Sequence, residues 1–353
     1  MLKTRNLVIL IIFLLILSFF LQGNYFIIKP GTVEDLKDVV QVEDNEGLID
    51  EGAFFLVTVA QQPANIFLFL NSFFDPSMDL IPRWRVFPTD MDPEEYTEIM
   101  RQWMIDSQYQ SKVIALERAG FQIPIKSEGI MVVDLMENSP ALNTLEPEDI
   151  IIKVGGEEVF LAEELVQRIQ EKPVGSEVSL TFKRDGKYLT ESFITVPHGE
   201  DEERSVLGIY VRTLDWEPDL PIDIIIETGE IAGPSAGFMF VLEIMNQLME
   251  EDLAGGKKIS GTGTINMKEE IGPIGGVKQK IKAAEKVGVD IFFVPQDNME
   301  EAQRSARNVK LVEVSVLDDV LQYLNYQLDI NTTRHIGGIF SVIEPEEVSF
   351  SHS

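Results

Sequence analysis

Gly233-Pro234-Ser235-Ala236-Gly237 lies between an apolar strand-like run, Ile224–Ile226, and an apolar helix-like run, Phe238–Met249. An extended segment therefore turns into a helix at Ser235. A serine in the first turn of a helix has free backbone N–H groups and the positive end of the dipole beside it. Those are suitable surroundings for a nucleophile whose attack generates an oxyanion. The small residues on either side let a substrate backbone approach closely. The same serine also fits a plain helix N-cap, and the pentapeptide alone does not separate the two.

A second stretch, Gly272-Pro273-Ile274-Gly275-Gly276-Val277-Lys278-Gln279-Lys280-Ile281, opens a helix expected over Val277–Val287. At steps of about 100° per residue, Val277, Ile281, Ala284 and Val287 share one apolar face. Lys280 falls inside that face, and Lys278, Lys282 and Lys286 fall opposite. A charged lysine on a buried face is costly, so its pKa is pushed down. A neutral amine near a serine is a general base. The alternative for Lys280 is a surface lysine whose stem alone is covered. Lys278, on the polar face, is expected to be dispensable.

Together the two stretches resemble the proteolytic domain of the Lon family. The resemblance rests on GPSAG around Ser235, on Thr262-Gly263-Thr264-Ile265, and on PIGGVKQK ending at Lys280. It implies a Ser235–Lys280 dyad with Thr262 near the lysine, and Gly233, Pro234, Ala236 and Gly237 as supporting residues. Many Lon proteins carry an acidic residue just before the GPS; here that position is Ala232. The resemblance covers about residues 205–328.

Composition narrows the chemistry. The 353-residue chain has no cysteine, so thiolate metal sites and disulfides are excluded. His198, His335 and His352 are far apart and have no metal-ligand spacing, so neither metal nor cofactor is expected. A net charge of −30 without a basic stripe argues against nucleic acid. No GxxxxGK[ST] pattern occurs, which separates the chain from ATP-driven Lon proteins.

Lys3 and Arg5 precede the apolar run Leu7–Leu21, and Gln22–Ile28 adds Tyr25, Phe26, Ile27 and Ile28. This reads as a membrane span with the N-terminus inside. No A-x-A-like site follows, which favours an uncleaved signal anchor over a cleaved signal peptide. Gly31–Gly52 reads as an acidic linker, Ala53–Val59 as a buried strand and Asn65–Phe74 as helical. Asp75–Asp92 reads as an irregular loop. Asp92-Pro93-Glu94-Glu95 starts a helix that runs to about Arg118, with Tyr96, Met100, Trp103, Met104 and Val113 assigned to core packing.

From about Gly120 to Val196 the pattern changes to short strands, a helix at Leu161–Gln170 and an Asp185-Gly186 hairpin turn. The order, with NSPA at Asn138–Ala141 and EPEDIIIKVGGEEV at Glu146–Val159, resembles a PDZ domain of the bacterial protease type. PDZ domains bind peptide ends or extended segments at a sheet edge. The nearest match to a carboxylate-binding loop is Arg118-Ala119-Gly120-Phe121, which makes Gly120 and Phe121 the peptide-binding candidates.

The expected fold is an α/β (α+β) Lon-type proteolytic domain with an inserted β-rich PDZ domain and an N-terminal transmembrane helix. The expected bounds are 1–30 for stub and anchor, 31–119 for linker and N-terminal Lon-like part, and 120–198 for the PDZ domain. The catalytic part follows at 199–328 and a tail at 329–353. The architecture resembles the membrane-anchored PDZ–Lon peptidases of Gram-positive bacteria. That implies an ATP-independent Ser-Lys endopeptidase at the cell membrane, single-pass, with its catalytic domain extracytoplasmic and peptides or proteins as substrates. The sequence leaves a homo-oligomer open. Two other readings compete. GPSAG also satisfies the G-x-S-x-G of α/β-hydrolases, which need a downstream histidine and have only His335 and His352 available. A membrane-tethered PDZ adaptor with an inactive Lon-like domain would have no need of both Ser235 and Lys280.

Overall fold

The computed structural model describes residues 4–43, 52–87, 92–198, 201–249 and 252–324. Lys3, the tail 329–353 with His335 and His352, and the start of the acidic stretch at Gly199–Arg204 lie outside them. The chain divides into two units: residues up to Gln122 together with those from Ile222, and Ile123–Pro221 between them.

The first unit begins with α1 (Thr4–Asn24), β1 (Tyr25–Asp35), α2 (Leu36–Val39), β2 (Val40–Val42) and β3 (Ala53–Pro63). There follow α3 (Ile66–Ser72), β4 (Asp79–Pro82), α4 (Arg83–Val86) and α5 (Pro93–Arg118). The inserted unit holds β5 (Ile125–Lys126), β6 (Gly129–Leu135), β7 (Ile150–Val154), β8 (Glu157–Glu158) and α6 (Ala162–Gln170). It continues with β9 (Glu177–Arg184), β10 (Lys187–Ile194), β11 (Val196–His198), β12 (Asp201–Val206), β13 (Ile209–Leu214) and β14 (Glu217–Pro218). The first unit resumes with β15 (Ile224–Ile226), α7 (Gly237–Leu248), β16 (Lys258–Gly261), β17 (Thr264–Ile265), β18 (Ile271–Gly272) and α8 (Val277–Lys286). It ends with β19 (Ile291–Pro295), α9 (Met299–Ser305), β20 (Lys310–Val314) and α10 (Leu317–Tyr323).

Segments from both sides of the insertion build one mixed sheet, ordered β20-β19-β16-β3-β1-β4. β3 pairs in parallel with β16, Phe54 opposite Ile259, and β16 pairs in parallel with β19. β1 runs antiparallel to both β3 and β4. The parallel strands are covered on both faces, so β19 reads as the unbroken apolar run Ile291-Phe292-Phe293-Val294, every residue buried. Phe238 of α7 stacks edge-on against Phe293 at a centroid distance of 6.4 Å, fastening α7 to the sheet. A fully buried phenylalanine contributes about 1.5–3 kcal/mol relative to an exposed one. Beneath α8, Val277, Ile281 and Ala284 pack with Val57, Phe292 and Val294. Val287, expected on the same face, is 40% exposed because the helix ends at Lys286.

The expected transmembrane helix is not found: among the described residues no helix is long and apolar enough to cross a membrane. The run Leu7–Leu21 in α1 measures only about 22 Å at 1.5 Å per residue, against a hydrocarbon core of about 30 Å. Tyr25–Ile28, read as its extension, instead opens β1 and pairs with β4. Leu21 is buried with Ile27, Ala64 and Met78. Ser18 Oγ accepts the Ile66 N–H at 3.4 Å, tying α1 to α3.

The first part of the expected linker, residues 31–43, is also structured. Asp35 caps α2 by accepting the Lys37 N–H at 3.1 Å, and β2 pairs with β15, Val40 opposite Ile226. Leu36, Val39, Val40 and Val42 are buried, and Val33 is partly so. Within Asp75–Asp92, β4 and α4 replace part of the irregular loop.

In the inserted unit an antiparallel sheet runs β10-β9-β7-β6-β13, with β8 on β7. α6 closes over a core of Ile130, Val132, Leu165, Ile169, Leu180 and Phe182. Asp185 and Gly186 turn the β9–β10 hairpin with φ of 51° and 76°, the pair of positive angles a two-residue turn needs. Strands β12 to β14 cluster with this unit, although the sequence reading gave residues from 199 to the catalytic part.

Candidate active site

Ser235 precedes α7, whose N-cap is Ala236. Its loop is tied on both sides. The Gly233 N–H donates to Met100 O of α5 at 2.9 Å, and the Gly263 N–H donates to Ser235 O at 2.9 Å. Gly233 has φ of 91°, a backbone state that strains any residue with a Cβ. Ser107 Oγ donates to Pro234 O at 3.3 Å and Ser111 Oγ to Gly237 O at 2.8 Å, so α5 braces the loop along three turns. Gly237 is the point of closest approach: a Cβ there would lie 2.8 Å from Ser107 Oγ and 2.9 Å from Ile265 Cγ2.

Lys280 sits in the second turn of α8, 3% exposed. Its Nζ donates to Ser235 Oγ at 2.6 Å and to Thr262 Oγ1 at 2.8 Å. Thr262 follows β16, is fully buried, and donates from Oγ1 to Ser235 O at 3.0 Å. The three side chains thus come from three elements at the carboxyl end of the central strand, α7 and α8. Burial alone pulls Lys280 down from an ordinary lysine value to about 7. Among the described residues no carboxylate opposes that shift. The neutral amine is therefore well populated near neutrality, beside a hydroxyl in hydrogen-bond contact. A hydroxyl and a buried amine in hydrogen-bond contact just before α7 are the groups that a serine–lysine mechanism would use.

Ser235 and Lys280 open into a cleft of about 1290 Å³. Phe26, Leu56, Phe87, Trp103 and Ile274 supply apolar lining, and Ala232 lies on its wall where the resembled family often has an acid. Tyr96, Met100, Trp103 and Met104 of α5 also line it. Sequence reasoning assigned these to the core, which holds for Met104 and Val113 but not for Trp103, 50% exposed. A stripe at helical spacing is the same whether it faces a core or a groove, so no sequence signal separated them.

Gly120 and Phe121 are not in the inserted unit; they belong to the first. Gly120, with φ of 95°, ends α5: its N–H donates to Glu117 O at 2.9 Å and the Phe121 N–H to Leu116 O at 3.0 Å. That is a Schellman stop, a structural reason for the glycine. The sheet edge beside α6 is instead β13, which pairs only with β6 in its sheet. Thr213 Oγ1 accepts the Ala162 N–H that starts α6, at 2.9 Å. Leu207-Gly208 leads into β13, Gly208 with φ of 62°. His198 lies in β11 of the inserted unit, and among the described residues no histidine stands in the catalytic unit. Among the described residues no group of three or more His, Cys, Asp or Glu side chains is gathered to hold a metal.

Comparison with known proteins finds two domains in the same order, the PDZ match starting earlier than the inserted unit and so including Gly120 and Phe121. Residues 219–327 match the Lon protease (S16) C-terminal proteolytic domain, and residues 112–193 match the PDZ domain. The Lon protease of Metamycoplasma arthritidis is 31% identical over 120 residues, 32% of this chain and 14% of that protein. The Lon protease of Azospirillum brasilense is 35% identical over 95 residues, 26% of this chain and 12% of that protein. The chain therefore spans only a small part of these relatives. Among solved structures, the PDZ domain of an SdrC-like protein from Listeria monocytogenes is 21% identical with a TM-score of 0.23, covering 24% of this chain and 90% of that one. The chain carries a Lon-type proteolytic domain, which supports a serine-type peptidase, and a PDZ domain.

Proposed function

We propose that the protein is an ATP-independent serine endopeptidase that uses Ser235 and Lys280 as a dyad. The observation that carries this reading is the buried Lys280 Nζ, 2.6 Å from Ser235 Oγ with no charged partner at the site. With the amine neutral, the Ser235 O–H donates to the Nζ lone pair. Ser235 Oγ attacks the scissile carbonyl carbon as Lys280 takes the proton. The carbonyl oxygen becomes an oxyanion beside the backbone N–H groups at the start of α7. Collapse of that intermediate breaks the C–N bond, and Lys280 returns its proton to the leaving amine. Water then repeats the sequence on the acyl ester and frees Ser235. Thr262 fixes the position of Nζ and of the Ser235 carbonyl. Gly233, Pro234, Ala236 and Gly237 keep the loop small enough for a substrate backbone.

The PDZ domain selects substrate. An extended segment or chain end adds to the free edge of β13 beside α6, with the Leu207-Gly208 turn at its end. This edge replaces Gly120 and Phe121 as the peptide-binding candidate. Action outside the cytoplasm belongs to the same proposal, supported by the resemblance to PDZ–Lon peptidases that work there. The purified protein should cleave a casein-like substrate without nucleotide, and Ser235→Ala should not. Absence of cleavage under all conditions, with the PDZ domain still binding peptides, would favour the adaptor reading.

A further inference from the structure

We propose that Asp79 is a positioning residue for Lys280, holding the first turn of α8 at the distance the dyad needs. The inference rests on the reading of Lys280 as the base. The first turn of α8 packs Val277 into the core but has no side-chain cap. Its N-cap is Gly276, in the left-handed region at φ 75°, and no side chain caps the helix. Gly275 and Gly276 precede it, the two most permissive residues available. A helix start of this kind frays unless something outside ties it down.

Asp79 is that tie. One carboxylate oxygen accepts from Lys278 Nζ at 2.6 Å and the other from Gln279 Nε2 at 2.6 Å. One side chain therefore grips the two residues immediately before Lys280. Gln279 is only 2% exposed, so its amide is fixed by packing as well as by the hydrogen bond. Asp79 is itself well anchored. It opens β4 and pairs with Ile28 of β1. The turn before it is closed by Asp75, whose carboxylate accepts from Ser77 N at 2.9 Å and Ser77 Oγ at 2.6 Å. Those two bonds hold Asp75 below the usual carboxylate range, with a smaller contribution from Lys286 and Lys278. The polar face of α8, on which Lys278 is expected from sequence to be dispensable, thus meets an acidic turn. A carboxylate at the start of a helix also complements its positive end. Because Lys278 neutralises it at contact distance, it gives Lys280 no anion of its own.

The consequence concerns rate, not substrate affinity. A reacting group displaced by about 1 Å loses around a hundredfold in rate. In the whole protein, Asp79→Ala should lower kcat ten- to a hundredfold, on the order expected for such a displacement, with KM changed less than about twofold. Lys282→Ala is the control. It removes an ion pair on the same helix, to Glu285 at 2.7 Å, without touching the first turn. It should leave kcat unchanged. The charge-swapped pair Asp79→Lys with Lys278→Asp rebuilds the contact in reverse and should recover most of kcat. The proposal fails if Asp79→Ala keeps wild-type kcat, or if the swap restores thermal stability but not kcat. A kcat loss in Lys282→Ala as large as that in Asp79→Ala would reduce Asp79 to a general stabiliser. Lys280→Ala separates this from the wider reading: if it stays active the dyad itself is wrong, and if it is dead while Asp79→Ala is normal only the positioning role falls.

Discussion

Replacing Lys280 with methionine should make the protein more stable at neutral pH while destroying its activity. Lys280 is almost fully buried and falls from an ordinary value of 10.5 to about 7 through burial. The unfolded chain keeps its proton up to about pH 10.5, whereas the folded chain releases it above about pH 7. The lysine therefore costs nothing above about pH 10.5. The cost grows as pH falls and is complete below about pH 7, at a size on the order of 5 kcal/mol. Methionine removes it but also removes the bonds to Ser235 and Thr262, worth about 1 kcal/mol each. The net gain should be about 2–4 kcal/mol at pH 6, turning into a loss of about 2 kcal/mol at pH 10.5. Urea unfolding of both proteins at pH 6, 8 and 10 measures it, since comparison at each pH cancels the other titrating groups. A difference that is flat across this range would mean that Lys280 titrates as an ordinary lysine, and the reasoning from burial would be wrong.

Three further outcomes follow from named contacts. Gly237→Ala forces a Cβ to within 2.8 Å of Ser107 Oγ, and should cost about 1–3 kcal/mol together with most of the activity. Thermal unfolding and peptide turnover check both. Gly208→Val strains a position with φ of 62° at the entrance to β13, and should impair cleavage of a folded substrate more than cleavage of a short unstructured peptide. Equal loss on both would make the PDZ domain a structural part. Substituting His198, His335 and His352 together should leave peptide turnover intact, which no Ser-His hydrolase would survive.

The candidate site was legible because the Lon resemblance and the local spacing point to the same two residues. The strand-to-helix turn at Ser235 and the helix face of Lys280 follow from spacing within single segments, and both residues lie where that spacing puts them. The support around them was not legible. Met100, Ser107 and Ser111 act on the Ser235 loop from α5, and Asp79 contacts α8 from a strand of four residues that ends in a proline. Such contacts join residues far apart in the chain, and nothing in local periodicity encodes them. The N-terminal apolar run misled for a related reason. Its composition suggested a span, but Tyr25–Ile28 were needed for its length and are committed to the sheet. Arg118-Ala119-Gly120-Phe121 resembled a binding loop because a glycine after a helix serves a helix stop as readily as a ligand turn.

The account stands most directly on the pH dependence of fluorogenic-peptide turnover by the wild type, Ser235→Ala, Lys280→Ala and Lys280→Arg. The wild-type rate should rise with pH through a midpoint near 7 as the buried amine loses its proton. Ser235→Ala and Lys280→Ala should both be inactive, and the double change should cost little more than either. Lys280→Arg should be inactive as well, because a guanidinium stays protonated and cannot accept the serine proton. Appreciable turnover in Lys280→Ala, or a wild-type midpoint near that of free lysine, would contradict the dyad.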